Sequence, residues 1–124
     1  MQRQNNKISQ IYKRPWGTYQ TLDLGEGYQV KKIIVNPSGR LSLQKHQKRS
    51  EHWVVIQGNP TITVEETVRK HKVGDAIFIP IKSPHRLENF TSKMAALIEV
   101  QIGTYLGEDD IVRLEDIYGR EVEK

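Results

Sequence analysis

The sequence predicts an all-β fold, a closed barrel or jelly roll, and two observations carry that expectation. Helical periodicity is almost absent: short apolar or alternating runs recur instead, each bounded by Gly, Pro, Asn or Asp. Eight or more such runs crowd into about 90 residues, a density that favours closure of the sheet on itself and removal of its sticky edges. A length of 124 residues suits one domain around one core, with no internal repeat and no second lobe.

Taken in order, residues 1–11 are a polar arm, 12–108 the barrel and 109–124 a C-terminal segment. Residues 17–22 read as a strand, followed by a turn at 23–27. Residues 28–35 form the next strand, stopped by Asn36-Pro37-Ser38-Gly39, where proline presets φ and glycine tolerates a positive one. Residues 41–46 alternate, with Leu41, Leu43 and Lys45 on one face and Ser42, Gln44 and His46 on the other. Residues 51–57 make a strand turning at Gly58-Asn59-Pro60, and 61–64 with 67–71 make a hairpin. Residues 76–79 lead through a loop at 80–84 into 85–89, and 95–102 is the last strong strand. Residues 111–118 predict a short C-terminal helix, capped by Asp109 or Asp110 and ended at Gly119.

Hydrophobic residues at 36% and charged residues at 27% are ordinary for a globular protein and exclude a disordered one. No apolar run approaches the ~20 residues of a membrane span. The polar N-terminus lacks the apolar stretch of a secretory signal, and the absence of cysteine excludes disulfides and thiolate metal sites, so the expected compartment is the cytoplasm. The net charge is +4. The densest bases, Arg40, Lys45, Lys48 and Arg49, lie beside histidines and a glutamate rather than exposed aromatics. Neither nucleic acid nor membrane is therefore the expected partner; a basic rim for a small phosphorylated ligand is.

Gln44, His46, Glu51 and His52 fall in one short stretch, and His85 lies in a later strand. Gln44 and His46 share a face. Glu51 is an odd step from His46, but the polar residues 47–50 turn the chain and reset its parity. Glu51, Trp53, Val55 and Gln57 then share one face, while His52, Val54 and Ile56 share the other. A divalent cation accepts imidazole nitrogen and carboxylate oxygen, and a catalytic site keeps a position open. Gln44, His46, Glu51 and His85 make such a set, with His52 as a competing ligand or a support from the opposite face. His71, among Arg69, Lys70 and Lys72, reads as a surface residue, and Trp16, Trp53 and Tyr28 as core or pocket-wall aromatics.

The run from Arg40 through Gln44, His46, Arg49, Glu51, His52 and Trp53 to Gly58 resembles the first metal motif of cupins. It is most similar to the C-terminal domain of type II mannose-6-phosphate isomerases, commonly fused to a mannose-1-phosphate guanylyltransferase. Arg14-Pro15-Trp16-Gly17, Ile79-Pro80 with His85-Arg86-Leu87-Glu88-Asn89, Ile98-Glu99-Val100-Gln101 and the run from Gly103 to Arg113 extend the likeness over about residues 12–120. The resemblance implies a cupin double-stranded β-helix, a homodimer, and metal-dependent interconversion of mannose-6-phosphate and fructose-6-phosphate. The implied ion is zinc, with manganese, cobalt or nickel as alternatives.

Two departures stand out. Lys48 replaces a histidine usual in the family, and a protonated lysine binds no metal; the related type I enzymes use a Gln, His, Glu, His zinc site, so Gln44, His46, Glu51 and His85 would have to suffice. Lys82 and Pro84 replace a usual glycine and an aliphatic residue. An aldose–ketose isomerase needs a base, for which Glu51, His52, Glu99 and Lys48 are candidates. It also needs phosphate donors, for which Arg86, Arg40, Arg49 and Lys32 are candidates. No glycine-rich nucleotide loop occurs, so nucleotidyl transfer is not expected of these residues. A non-catalytic sugar-phosphate-binding cupin, or an accessory domain of a separate guanylyltransferase, is the alternative.

Overall fold

The computed structural model describes residues 6–115, and among them all regular structure is β. The strands are β1 (Ile11–Arg14), β2 (Gly17–Gly25), β3 (Tyr28–Val35), β4 (Leu43–Lys45), β5 (Arg49–Gln57), β6 (Thr61–Val64), β7 (Thr67–Lys70), β8 (Ala76–Ile79), β9 (His85–Glu88), β10 (Ala95–Gly103) and β11 (Val112–Glu115). They form a six-stranded sheet, β1-β2-β3-β10-β5-β8, and a five-stranded sheet, β11-β4-β9-β6-β7. Every strand pairing is antiparallel. The all-β expectation holds. No described helix is long and apolar enough to cross a membrane.

The core lies between the sheets, where Trp16, Tyr19, Ile33, Val35, Trp53, Val55, Ile62, Ile79, Leu87 and Leu97 cluster. Alternation delivers these residues: β5 buries Glu51, Trp53 and Val55 and exposes His52, Val54 and Ile56, as the reset parity requires. Register then sorts the inward residues into rows. Tyr19, Ile33, Leu97 and Val55 stand side by side across β2, β3, β10 and β5. The next inward row is Thr21, Lys31, Glu99 and Trp53, and the one beyond it Gln29, Gln101 and Glu51. The interior is thus apolar at one end and polar at the other. Two glycines permit close approaches that shape it. Gly58 turns β5 into β6 at φ 75, where a Cβ would lie 2.5 Å from the Met94 carbonyl oxygen. At Gly103 a Cβ would lie 2.1 Å from that of Lys48.

The structure departs from the sequence reading at both ends. β1 was expected only as arm and barrel entry; it pairs with β2 through a tight turn at Pro15-Trp16, with Arg14 opposite Gly17. The C-terminal helix is not formed over its described part. Residues 112–115 are strand β11, with Val112 opposite Lys45 of β4. Pairing with an otherwise open edge satisfies backbone groups that a helix would have satisfied internally. Residues 116–119, the rest of the expected helix, lie outside the described residues.

Candidate active site

At the polar end of the barrel lies a pocket of about 80 Å³, floored by β3, β5 and β10 and walled by β4, β9 and the segment before β11. His46, Glu51 and His85 converge in it, all buried, with one potential ligand atom from each lying within 4.8 Å of the others. The imidazole rings are 5.0 Å apart, and the Trp53 indole meets His85 edge-on at 5.6 Å. Gln44, opposite His85 in the β4–β9 register, also lines the pocket, its amide nitrogen donating to Ser42 Oγ at 3.1 Å.

Backbone carbonyls fix both histidines. His46 Nδ1 donates to the Asp110 carbonyl at 2.7 Å and His85 Nδ1 to that of Ser83 at 2.9 Å. A carbonyl oxygen can only accept, so each Nδ1 carries the hydrogen and each Nε2 keeps its lone pair. Burial drives both imidazoles toward neutrality, His46 down to about 4 despite the opposing Glu51 charge, and His85 in the same direction.

His46 Nε2 lies 3.2 Å from Glu51 Oε2, two acceptors face to face. A cation bridges them: the Arg49 guanidinium donates to Glu51 Oε2 at 2.8 Å and to His46 Nε2 at 3.1 Å. Trp53 Nε1 donates to Glu51 Oε1 at 2.8 Å. Burial alone would raise the Glu51 carboxyl, but Arg49, His46 and a hydrogen bond from Glu99 outweigh it and hold the group well below its usual range. Glu99 goes the other way: burial and the adjacent Glu51 charge hold it as a neutral acid. Gln101 Nε2 donates to Glu99 Oε2 at 3.0 Å, Gln29 Nε2 to Gln101 Oε1 at 3.0 Å, and Asn6 and Thr21 each donate to Gln29 Oε1 at 2.9 Å. Two lone-pair imidazole nitrogens and a carboxylate already bridged by a cation fit a divalent metal ion, with the carbonyl oxygen of Gln44 as a further donor.

Of the candidates read from the sequence, Gln44, His46, Arg49, Glu51, His85 and Glu99 meet in this pocket. The others do not. His52 sits on the outer face, exposed, its ring 4.7 Å from Phe78, because strand alternation turns it away from Glu51. Lys48 is exposed, its ammonium 5.5 Å from the Tyr105 ring. Arg86, the residue after His85, points through the opposite face of β9, where it donates to the Leu41 carbonyl at 3.0 Å and pairs with Glu115. Arg40 pairs with Glu88 at 2.6 Å outside the pocket. Lys32 lies on the outer face of β3, between Gln20 and Ile98. Its neighbour Lys31 is the inward one, paired with Glu108 at 2.6 Å and 4.3 Å from the Tyr19 ring centroid.

Lys31, Glu108, Arg14, Tyr19 and Arg113 also line the pocket and were not singled out in the sequence. Lys31 was open to discovery through the parity of Ile33 and Val35; Glu108 meets Lys31 across 77 residues, and no local pattern signals it.

Solved structures of the same shape are distant in sequence and speak to the fold alone. An oxalate decarboxylase of Lactobacillus farciminis matches with a TM-score of 0.72 at 18% identity, over 85% of this chain and 33% of that one. KdgF from Halomonas sp. matches at 0.70 and 14%, over 76% and 87%. A cupin-2 domain from Rhodospirillum rubrum matches at 0.68 and 21%, over 82% and 76%. The fold is a cupin fold. Curated relatives are far closer in sequence. The alginate biosynthesis protein AlgA of Pseudomonas aeruginosa is 49% identical over 89% of this chain and 23% of its own length. The xanthan biosynthesis protein XanB of Xanthomonas campestris is 50% identical over 86% and 23%. The mannose-1-phosphate guanylyltransferase ManC of Salmonella typhimurium is 49% identical over 86% and 22%. This chain thus spans less than a quarter of the length of those relatives. The family model for the C-terminal part of mannose-6-phosphate isomerase matches residues 1–116, and the chain belongs to that family.

Proposed function

We propose that this chain interconverts mannose-6-phosphate and fructose-6-phosphate with a divalent ion, zinc first and manganese, cobalt or nickel as alternatives, held by His46, Glu51 and His85 with Gln44 beside them. The observation that carries the reading is the joint presence, in one pocket, of a metal-type donor set and an excess of positive charge. Arg14, Lys31, Arg49 and Arg113 line the pocket, against the charged carboxylates of Glu51 and Glu108 and neutral Glu99. With the imidazoles neutral, the surplus is about two positive charges before a divalent ion is counted, and a bound ion would raise it further, a field that favours a phosphate monoester at about −1.5 to −2. Arg49 Nη1 is buried without a partner among the described residues, a donor suited to a ligand oxygen.

A bound divalent ion would polarise the sugar oxygens at C1 and C2. Glu99, at the pocket floor and held by Gln101, has a carboxyl raised well above its usual range, so that its ionised form would be a stronger base, able to take the proton from one of those carbons and return it to the other. Trp53 and Ile33 supply dry walls that strengthen each of these charge interactions.

The test is a coupled assay of fructose-6-phosphate formation on chelated protein, with and without Zn²⁺ or Mn²⁺. Metal-dependent turnover that disappears in His46→Ala and His85→Ala supports the reading. Folded protein that turns nothing over with any divalent ion contradicts it and favours a sugar-phosphate-binding cupin. A second reading, an accessory domain for a guanylyltransferase, draws on the 49% identity to the mannose-1-phosphate guanylyltransferase ManC; co-purification with a guanylyltransferase would test it.

A further inference from the structure

The geometry points to Asp110 as a positioning residue for the candidate metal centre: it clamps the turn that carries His46 and sets which imidazole nitrogen faces the pocket. As a statement about metal affinity, this rests on the metal reading above; as a statement about the His46 tautomer, it does not.

One residue makes three hydrogen bonds to three consecutive residues. Asp110 Oδ1 accepts from the Gln47 amide at 2.9 Å, Oδ2 from the Lys48 amide at 3.0 Å, and the Asp110 carbonyl from His46 Nδ1 at 2.7 Å. Residues 46–48 are the polar turn between β4 and β5, where two amides in succession would otherwise face away from any strand. A carboxylate with one oxygen for each amide satisfies both, and its charge strengthens both bonds. The sequence offers Asp109 or Asp110 as the cap of a C-terminal helix; Asp110 caps the ligand-bearing turn instead.

The two histidines depend on the chain in different ways. The carbonyl that orients His85 belongs to Ser83, two residues away on the same loop. The one that orients His46 comes from 64 residues downstream. Asp110 is itself 9% exposed and held in place: its amide donates to the Gly107 carbonyl at 3.1 Å, Glu108 binds Lys31 and Asn6, and Val112 pairs with Lys45. The carboxylate ties the turn at residues 46–48 to this fixed backbone, so loosening it lets the His46 ring drift from the Asp110 carbonyl, while His85 keeps its own and serves as a control within the same molecule.

The test compares wild type, Asp110→Ala and Asp110→Asn in the metal-free protein by ¹⁵N-labelled imidazole NMR, followed by titration with Co²⁺. In wild type both rings should show the Nδ1–H tautomer. In Asp110→Ala the His46 nitrogen shifts should move toward tautomer averaging while those of His85 stay fixed, and Co²⁺ affinity should fall ~10–100-fold. Asp110→Asn, which keeps one acceptor oxygen, should lie between the two, and it decides the matter if the alanine variant does not fold. A folded variant whose His46 shifts match wild type overturns the proposal, as does an equal change at His46 and His85. Wild type that binds no divalent ion would remove the metal reading, and the tautomer comparison would still decide the role of Asp110.

Discussion

The two ends of the barrel are built on the same strands from opposite materials. Toward one end β3 turns Ile33 and Val35 inward, and β10 turns in Leu97; a few residues along, the same strands turn in Lys31 and Gln29, and Glu99 and Gln101. In the second half the usual alternation is inverted, since Ile98, Val100 and Ile102 face outward while the acid and the amide face in. The apolar end is held by packing, so it tolerates apolar side chains of conserved volume. The polar end is a connected network of paired donors and acceptors, with Arg49 Nη1 left over, and removing one member strands its partner in a low dielectric. The lesson is that stability and chemistry are separated along the strand axis of a single core, with the pocket at their boundary.

The sharpest break of the comparison is Glu51→Gln. It leaves the Arg49 guanidinium, 5% exposed, without its nearest countercharge and should cost about 3–5 kcal/mol in urea denaturation, with loss of metal binding. Leu97→Ala, in the apolar row, should cost about 2–5 kcal/mol by the same measurement and leave activity per folded molecule near wild type. Equal loss of specific activity in both variants would mean that the two ends are not separable.

The smallest effect is a pH dependence confined to the polar end. On unfolding, His46, lowered to about 4 in the fold, regains its ordinary affinity for a proton and takes one up between about 4 and about 6.5; His85 shifts in the same direction and Glu99 in the opposite one. The unfolded chain binds more protons there, so stability of the metal-free protein should fall as pH drops from about 6.5 toward about 4, by at most about 1.4 kcal/mol per unit. His46→Asn should flatten the slope in equilibrium denaturation at a series of pH values; an unchanged slope would place the titrating groups elsewhere.

How much of this was legible follows the same division. The parity of β5, the shared face of Gln44 and His46, and the β6–β7 hairpin were readable because alternation and turn residues are local. The choice between Lys31 and Lys32 was only half legible: the parity of Ile33 and Val35 favours Lys31, but Val30 and Ile34 make the other face of β3 apolar as well. Residues 112–115 carry no signal that decides helix against strand; the β4 edge and the Gln47 and Lys48 amides, more than 60 residues away, decide it. Contacts that close a barrel are set by which strands become neighbours, and a one-dimensional pattern does not contain that information.

The most direct test of the central claim is an anomalous difference map from crystals grown with Co²⁺ or Zn²⁺. The account predicts a single strong peak at about 2.0–2.2 Å from His46 Nε2, His85 Nε2 and a Glu51 oxygen. No peak at that position, with the Arg49 guanidinium still bridging Glu51 and His46, would contradict it.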